Sequence, residues 1–279
     1  RTMRETGRLC QVGHQRRSNP GYLHVFEKLL GEARLCGRIT NMNCHWGRSC
    51  PLGREWDWPK KYTIPDDTLA KHGYGSTREF RNWQWFKKYG SGPFAGLGVH
   101  LVDTCDWFLG SRPVSVMATG GAEFAPDFEW CSDVMAIFEF GPPAGKVRAL
   151  CEVLTTGAVP GYFEEVLGDE GSIKMSQIPE EIRASRDFRA PDWQKWVGLH
   201  YLKAVPPPPQ PSPRMRPGPE TYGIPVALGE RPWLSSHLEN FFDAIRGGAN
   251  LRCPADQAFR ATAATFKVHE AIAARRTVD

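Results

Sequence analysis

The 279-residue chain contains no apolar run long enough to span a bilayer, so no transmembrane helix is expected. Its opening residues, Arg1-Thr2-Met3-Arg4-Glu5, lack the apolar core of a secretory leader. Charge imbalance is also missing: a net +4 demands neither a nucleic-acid nor a membrane partner. None of the eight cysteines forms a Cys-x-x-Cys pair, which leaves zinc ribbons and thioredoxin-type motifs without support. No His-Glu-x-x-His occurs and no histidine pair has ligand spacing, which counts against a metal hydrolase. Cys36, Cys44, His45 and Cys50 crowd together, but the spacing matches no common metal pattern. On a strand Cys44 and His45 would face opposite ways, so no metal site is expected there. Cysteines inside apolar runs read as buried free thiols, which points to a reducing, cytoplasmic setting.

What remains is the composition of a soluble globular protein, 41% hydrophobic and 24% charged, with length for one large or two ordinary domains. Its most distinctive stretch runs from Gly90 to Gly110. Gly90, Gly92 and Pro93 exclude a helix up to that point. Leu97, Leu101, Cys105 and Phe108 then recur at helical spacing, and Gly110 sits where a C-cap glycine belongs. His100, Asp103 and Trp107 share another face. A histidine and a carboxylate in the first turns of a helix suit an acid/base site, but spacing alone favours a core histidine held by a neighbouring acid.

Upstream, Arg1–Gly7 reads as a helix end, Leu9–Gly13 as a short strand and His14–Pro20 as the polar loop at its C-terminal end, where open α/β sheets place ligands. A helix is predicted over Gly21–Glu32, a strand over Gly37–Trp46, a long covering loop over Gly47–Gly75 and a short aromatic helix over Thr77–Tyr89. Downstream of Gly110 the period switches to alternation. Strands are predicted at 114–119, 134–140, 147–154, 162–167 and 172–175, with hairpin-like links at 141–145 and 168–171. The fold class is therefore α+β: an open, mostly antiparallel sheet of five or six strands, helices on one face, the other face free for a partner. Pro206–Pro213 reads as an extended surface loop. Two helices, Trp233–Arg246 and Ala255–Ala274, close the chain.

Several stretches resemble the glucose-fructose oxidoreductase, inositol dehydrogenase and rhizopine-catabolism (Gfo/Idh/MocA) family. They are Gln11–Pro20, Gly37-Arg38-Ile39, the specific Gly90–Gly110 motif, and His237–Arg246. The resemblance implies an N-terminal Rossmann domain for NAD or NADP and a C-terminal α/β domain whose open sheet serves oligomerisation. It implies hydride transfer to or from a sugar, cyclitol or related polyol. Under it, residues 1–20 are the last helix, strand and loop of a Rossmann remnant whose remainder is absent, and residues 21–279 form the substrate-binding and oligomerisation domain. This chain alone is then expected to be inactive, because no Gly-x-Gly-x-x-Gly follows a strand and no Glu-Lys-Pro occurs. His100 matches the family's proton-transfer histidine and Asp103 the acid after it. The aspartate usual four residues before the histidine is here Gly96. Arg16 and Asn19 are expected near the nicotinamide, Arg16 also near the substrate. Trp46, Trp85 and Asp103 complete the expected substrate set, with the tryptophans as walls for a sugar ring. A non-catalytic binding or oligomerisation module of the same fold is the alternative.

Overall fold

The computed structural model describes residues 5–48, 60–125, 128–157, 161–206, 218–225 and 234–279. Among these, strands β1 (Ile39–Gly47), β2 (Pro113–Gly121), β3 (Asp133–Phe140), β4 (Val147–Leu154), β5 (Gly161–Gly168), β6 (Gly171–Ser176), β7 (Arg183–Arg186), β8 (Lys203–Ala204) and β9 (Glu220–Gly223) form one sheet. Their order is β2-β3-β4-β1-β5-β6-β7-β9-β8. Every neighbouring pair is antiparallel except β1 and β4. The α+β class and the antiparallel character hold, but the sheet is larger than the five or six strands expected. Its far edge is built from β7, β8 and β9, two to four residues long, too short to show alternation.

The helices are α1 (Pro20–His24), α2 (Asp66–Lys71), α3 (Thr77–Arg81), α4 (Val99–Leu109), α5 (Gln194–Gly198), α6 (Ser235–Ile245) and α7 (Ala255–Ala274). Alternation sorts the sheet's faces. Val134, Ala136, Phe138 and Phe140 on β3, with Val147, Ala149, Cys151 and Val153 on β4, are buried against the helices. α4 meets them with Leu101, Val102, Cys105 and Phe108, and α7 packs on β2 and α4. The other face carries Met117, Ile137 and Leu150 in register across three strands, all exposed.

Elsewhere the local predictions need adjustment. The expected strand Leu9–Gly13 makes a single bridge, Gln11 to Pro254, with Val12 N–H donating to the Cys253 carbonyl at 3.0 Å. The expected loop is a tight 3-10 turn, Gln15–Ser18. Helix 21–32 exists, but after α1 it widens to a π-helix over Val25–Glu32. The long loop contains α2, and part of it, 49–59, lies outside the described residues. The aromatic helix stops at Arg81 because Asn82 leaves helical geometry; Ser76 caps its start by accepting from the Glu79 N–H. On α6 and α7, Leu238, Phe242, Ile245, Phe259 and Phe266 are exposed, so the apolar faces expected to pack do so only in part. Residues 1–4 of the expected first helix, most of the polyproline stretch (207–213) and Trp233 lie outside the described residues.

The glycine loop is held structurally. Trp130 Nε1 donates to the Gly90 carbonyl at 3.0 Å, and His269 Nε2 sits 2.9 Å from the Ser91 carbonyl. Gly92 has φ +78°, and a Cβ there would come within 2.8 Å of Trp130. A π-turn over Phe94–Gly98 then leads into α4.

Candidate functional site

Five segments converge beside the start of α4. The 3-10 turn supplies Arg16 and Arg17, preceded by His14; α1 supplies Tyr22, β1 Trp46, α4 His100 and Asp103, and β5 Tyr162 and Glu164. The turn is pinned from far along the chain. His237 on α6 lies 2.8 Å through Nδ1 from the Ser18 hydroxyl and 2.9 Å through Nε2 from the Val12 carbonyl. Both contacts are made at once if Nε2 carries the proton and Ser18 donates to Nδ1. Gln11 Nε2 adds a 2.7 Å bond to the His237 carbonyl.

Arg16 is the centre of the cluster. It is buried, with Nη1 2.5 Å from Glu164 Oε1. Its guanidinium carbon lies 5.0 Å from the Trp46 ring centroid and 4.6 Å from that of Tyr162. Burial works hardest against the Arg16 charge, but Glu164 together with Tyr22, Tyr162 and Cys44 outweighs it, so its pKa stays above the ordinary value. Glu164 is fully buried, and the Tyr22 hydroxyl donates to its Oε2 at 2.5 Å. Burial pushes its carboxyl up, with Arg16 and Tyr22 opposing. Arg16 Nη2 is buried and has no hydrogen-bond partner.

His100 stands next to this pair. Its ring is 5.5 Å from Trp46 and 5.5 Å from His14, and its buried Nδ1 also has no partner. Desolvation, then the positive charge of Arg16 and then His14, lower its pKa to about 3, with Asp103 opposing. His100 is therefore neutral at physiological pH and can accept a hydrogen bond from a hydroxyl. Trp46, His100 and Tyr162 are half-buried, while Arg16, Tyr22 and Glu164 are buried. The result is a partly exposed rim of rings over a polar floor.

Asp103 does not serve His100 directly. Arg17 grips its carboxylate through Nε at 2.8 Å and Nη2 at 3.0 Å, and His14 Nδ1 lies 3.2 Å away. Burial alone would raise the Asp103 carboxyl, but bonds from His14 and Arg17 outweigh it and hold the pKa below the ordinary value. The structure thus brings together Arg16, Trp46, His100 and Asp103. Trp85 falls elsewhere, in a small core with Ala125 and Phe128, stacked 4.7 Å from Phe128. Asn19 is the N-cap of α1, its Oδ1 accepting from the Gly21 and Tyr22 N–H groups. Sequence reasoning missed His14, Arg17, Tyr22, Tyr162 and Glu164. For Glu164 a signal existed: it shares strand parity with Val166, so alternation alone turns a carboxylate inward.

A dinucleotide needs a glycine turn between a strand and a helix N-terminus for its pyrophosphate. The described residues contain none, so no contact to such a cofactor is assigned within this chain.

Residues 67–174 match the family model of the GFO/IDH/MocA C-terminal domain. No curated protein matches the chain by sequence. Solved structures do match. An NAD-binding protein from Listeria innocua is 17% identical with a TM-score of 0.60, the match covering 99% of this chain and 68% of that one. An aldose-aldose oxidoreductase from Caulobacter crescentus, complexed with glycerol, is 12% identical with a TM-score of 0.64, covering 99% and 65%. The WlbA dehydrogenase from Chromobacterium violaceum, in complex with NADH and UDP-GlcNAcA, is 16% identical with a TM-score of 0.65, covering 99% and 64%. The chain thus spans about two thirds of the length of these proteins. Match and fold agree: residues 67–174 carry the GFO/IDH/MocA C-terminal domain pattern, within a fold shared with these solved structures.

Proposed function

We propose that the chain is the substrate-binding and assembly portion of an NAD(P)-dependent oxidoreductase acting on a sugar, cyclitol or related polyol. The reading rests above all on His100: a neutral histidine whose buried Nδ1 has no partner, beside the partnerless Nη2 of Arg16. Two unspent polar atoms under a rim of rings suit a hydroxylated ring better than an apolar ligand. Because Glu164 neutralises Arg16, the floor offers an acceptor at His100 Nδ1 and a donor at Arg16 Nη2 with little net charge. His100 holds the reacting hydroxyl and takes its proton as the hydride leaves; Arg16 orients a neighbouring oxygen. Hydride acceptance belongs to the dinucleotide, which this reading places on a domain beyond the residues described, with residues 1–20 as its border and 21–279 as the substrate domain. The exposed stripe Met117–Ile137–Leu150 is assigned to self-association.

Ligand-observed NMR with myo-inositol, glucose and glucuronate tests the site. Binding of at least one polyol, weakened tenfold or more by His100→Ala, is expected. Equal binding by the variant removes His100 from the site. A specific observation favours a second, non-catalytic reading: Asp103 is committed to Arg17, and its pull on His100 is outweighed by burial, Arg16 and His14. Polyol binding without turnover in a longer form of the protein that carries a dinucleotide domain would select it.

A further inference from the structure

Three cysteines far apart in sequence meet in the core. Cys44 is on β1, Cys151 on β4 and Cys105 on α4. The parallel register sets Cys44 directly beside Cys151, alternation turns both toward the helices, and α4 brings Cys105 against them. All are free thiols, at most 1% exposed. Their sulfurs lie within 4.8 Å of one another, Cys44 and Cys105 at 3.5 Å. Three bonds of about 2.3 Å to a shared ion place sulfurs about 3.3–4.0 Å apart, from a pyramidal to a planar arrangement, inside that spread. Three sulfurs on three rigid elements converge on one point, a donor set that selects soft, thiophilic ions.

Charge chooses among such ions. The pocket is apolar, and the buried carboxylate of Glu164 already acts on all three thiols. Three thiolates around a monovalent or divalent ion leave a net negative charge there, which a dry interior disfavours. Around a trivalent ion the charge is zero.

We propose that Cys44, Cys105 and Cys151 form a three-thiolate site for a trivalent thiophilic metalloid of the arsenic(III) class. The ion enters as its neutral trihydroxide. Three metalloid–oxygen bonds are exchanged for three metalloid–sulfur bonds, each thiol proton leaves with a hydroxide as water, and no electrons are transferred. The site is separate from the polyol cluster but shares its supports: Cys44 is two residues from Trp46 on β1, and Cys105 five from His100 on α4. Filling it ties together the strand and helix that carry those two rings.

The test uses the whole reduced protein and sodium arsenite. Native mass spectrometry is expected to show one arsenic per chain, and X-ray absorption three sulfur neighbours with no oxygen. Cys105→Ala should weaken binding at least tenfold. Cys36→Ala should leave it unchanged, since the Cys36 thiol points instead to the Val166 carbonyl. Arsenic held by two sulfurs and an oxygen, or bound equally by Cys105→Ala, overturns the proposal. So does zinc(II) binding more tightly than arsenite, which would refute the charge argument. The absorption measurement is made on the unaltered protein and decides the matter even if Cys105→Ala does not fold.

Discussion

His100 is where a single residue's environment has the clearest consequence. Its pKa is near 3 in the folded chain and about 6.5 in the unfolded one. Between those values the unfolded state binds the extra proton, so stability is full above about pH 6.5 and falls as the pH drops toward 3. The loss attributable to this group is on the order of 5 kcal/mol. Urea unfolding of the protein and of His100→Gln from pH 7 to 4 should show the slope reduced in the variant; parallel curves would contradict the assignment. Gly96→Asp, at an exposed position with open space for a side chain, should raise the His100 pKa in an NMR titration. Asp103 works in the same direction at lower pH. Its stabilising contribution is present above the unfolded carboxylate value, about 3.9, and is lost as the pH falls through its lower folded value. Glu164 supplies the sharpest single-residue energy. Glu164→Gln leaves Arg16 as a buried, uncompensated charge and should cost about 3–5 kcal/mol, whereas the double variant Arg16→Met/Glu164→Gln should cost less. Chemical denaturation of the three proteins measures both.

At the level of elements, the candidate site depends on one clamp between segments more than 200 residues apart. α6 holds the 12–18 turn through His237, which bonds to Ser18 and to Val12. Removing the ring leaves the Ser18 hydroxyl without this acceptor and the Val12 carbonyl with the His14 N–H as its remaining donor. His237→Ala should destabilise by about 1–3 kcal/mol and raise hydrogen exchange first in residues 12–18. Unchanged protection there would mean that the Arg17–Asp103 pair alone holds the turn. The elements also show how legibility varied. α4 was readable because its apolar stripe and its αL cap at Gly110, φ +56°, are both local signals. The Leu9–Gly13 strand was readable only as an apolar run. Its single bridge to Pro254 depends on what the fold brings alongside, which no local pattern encodes.

For the whole molecule, the decisive feature is the place of β1. It enters between β4 and β5, consecutive in sequence, and makes the sheet's one parallel pairing. That insertion brings Trp46 beside Arg16 and Tyr162, and Cys44 beside Cys151. It also leaves the β2-β3-β4 edge with an apolar outer stripe, Met117–Ile137–Leu150. If that stripe mediates self-association, Ile137→Glu should lower the mass measured by light scattering at matched concentration while leaving the circular dichroism spectrum intact. The same mass for both proteins would remove this face from the assembly.

The sequence by itself determined the α+β class, the alternating strands β2 to β6, the capped helix α4 and the family resemblance, because each is encoded in local periodicity or in a contiguous motif. It also placed Arg16, Trp46 and His100 on the candidate list. Only the tertiary structure decided which carboxylate each cation takes. Asp103 went to Arg17 and His14, and the unforeseen Glu164 to Arg16. It sent Trp85 to a separate core and gathered three scattered cysteines at one point. Such pairings follow from strand register and helix packing, in which residues far apart along the chain become neighbours, and no spacing along a single chain records that.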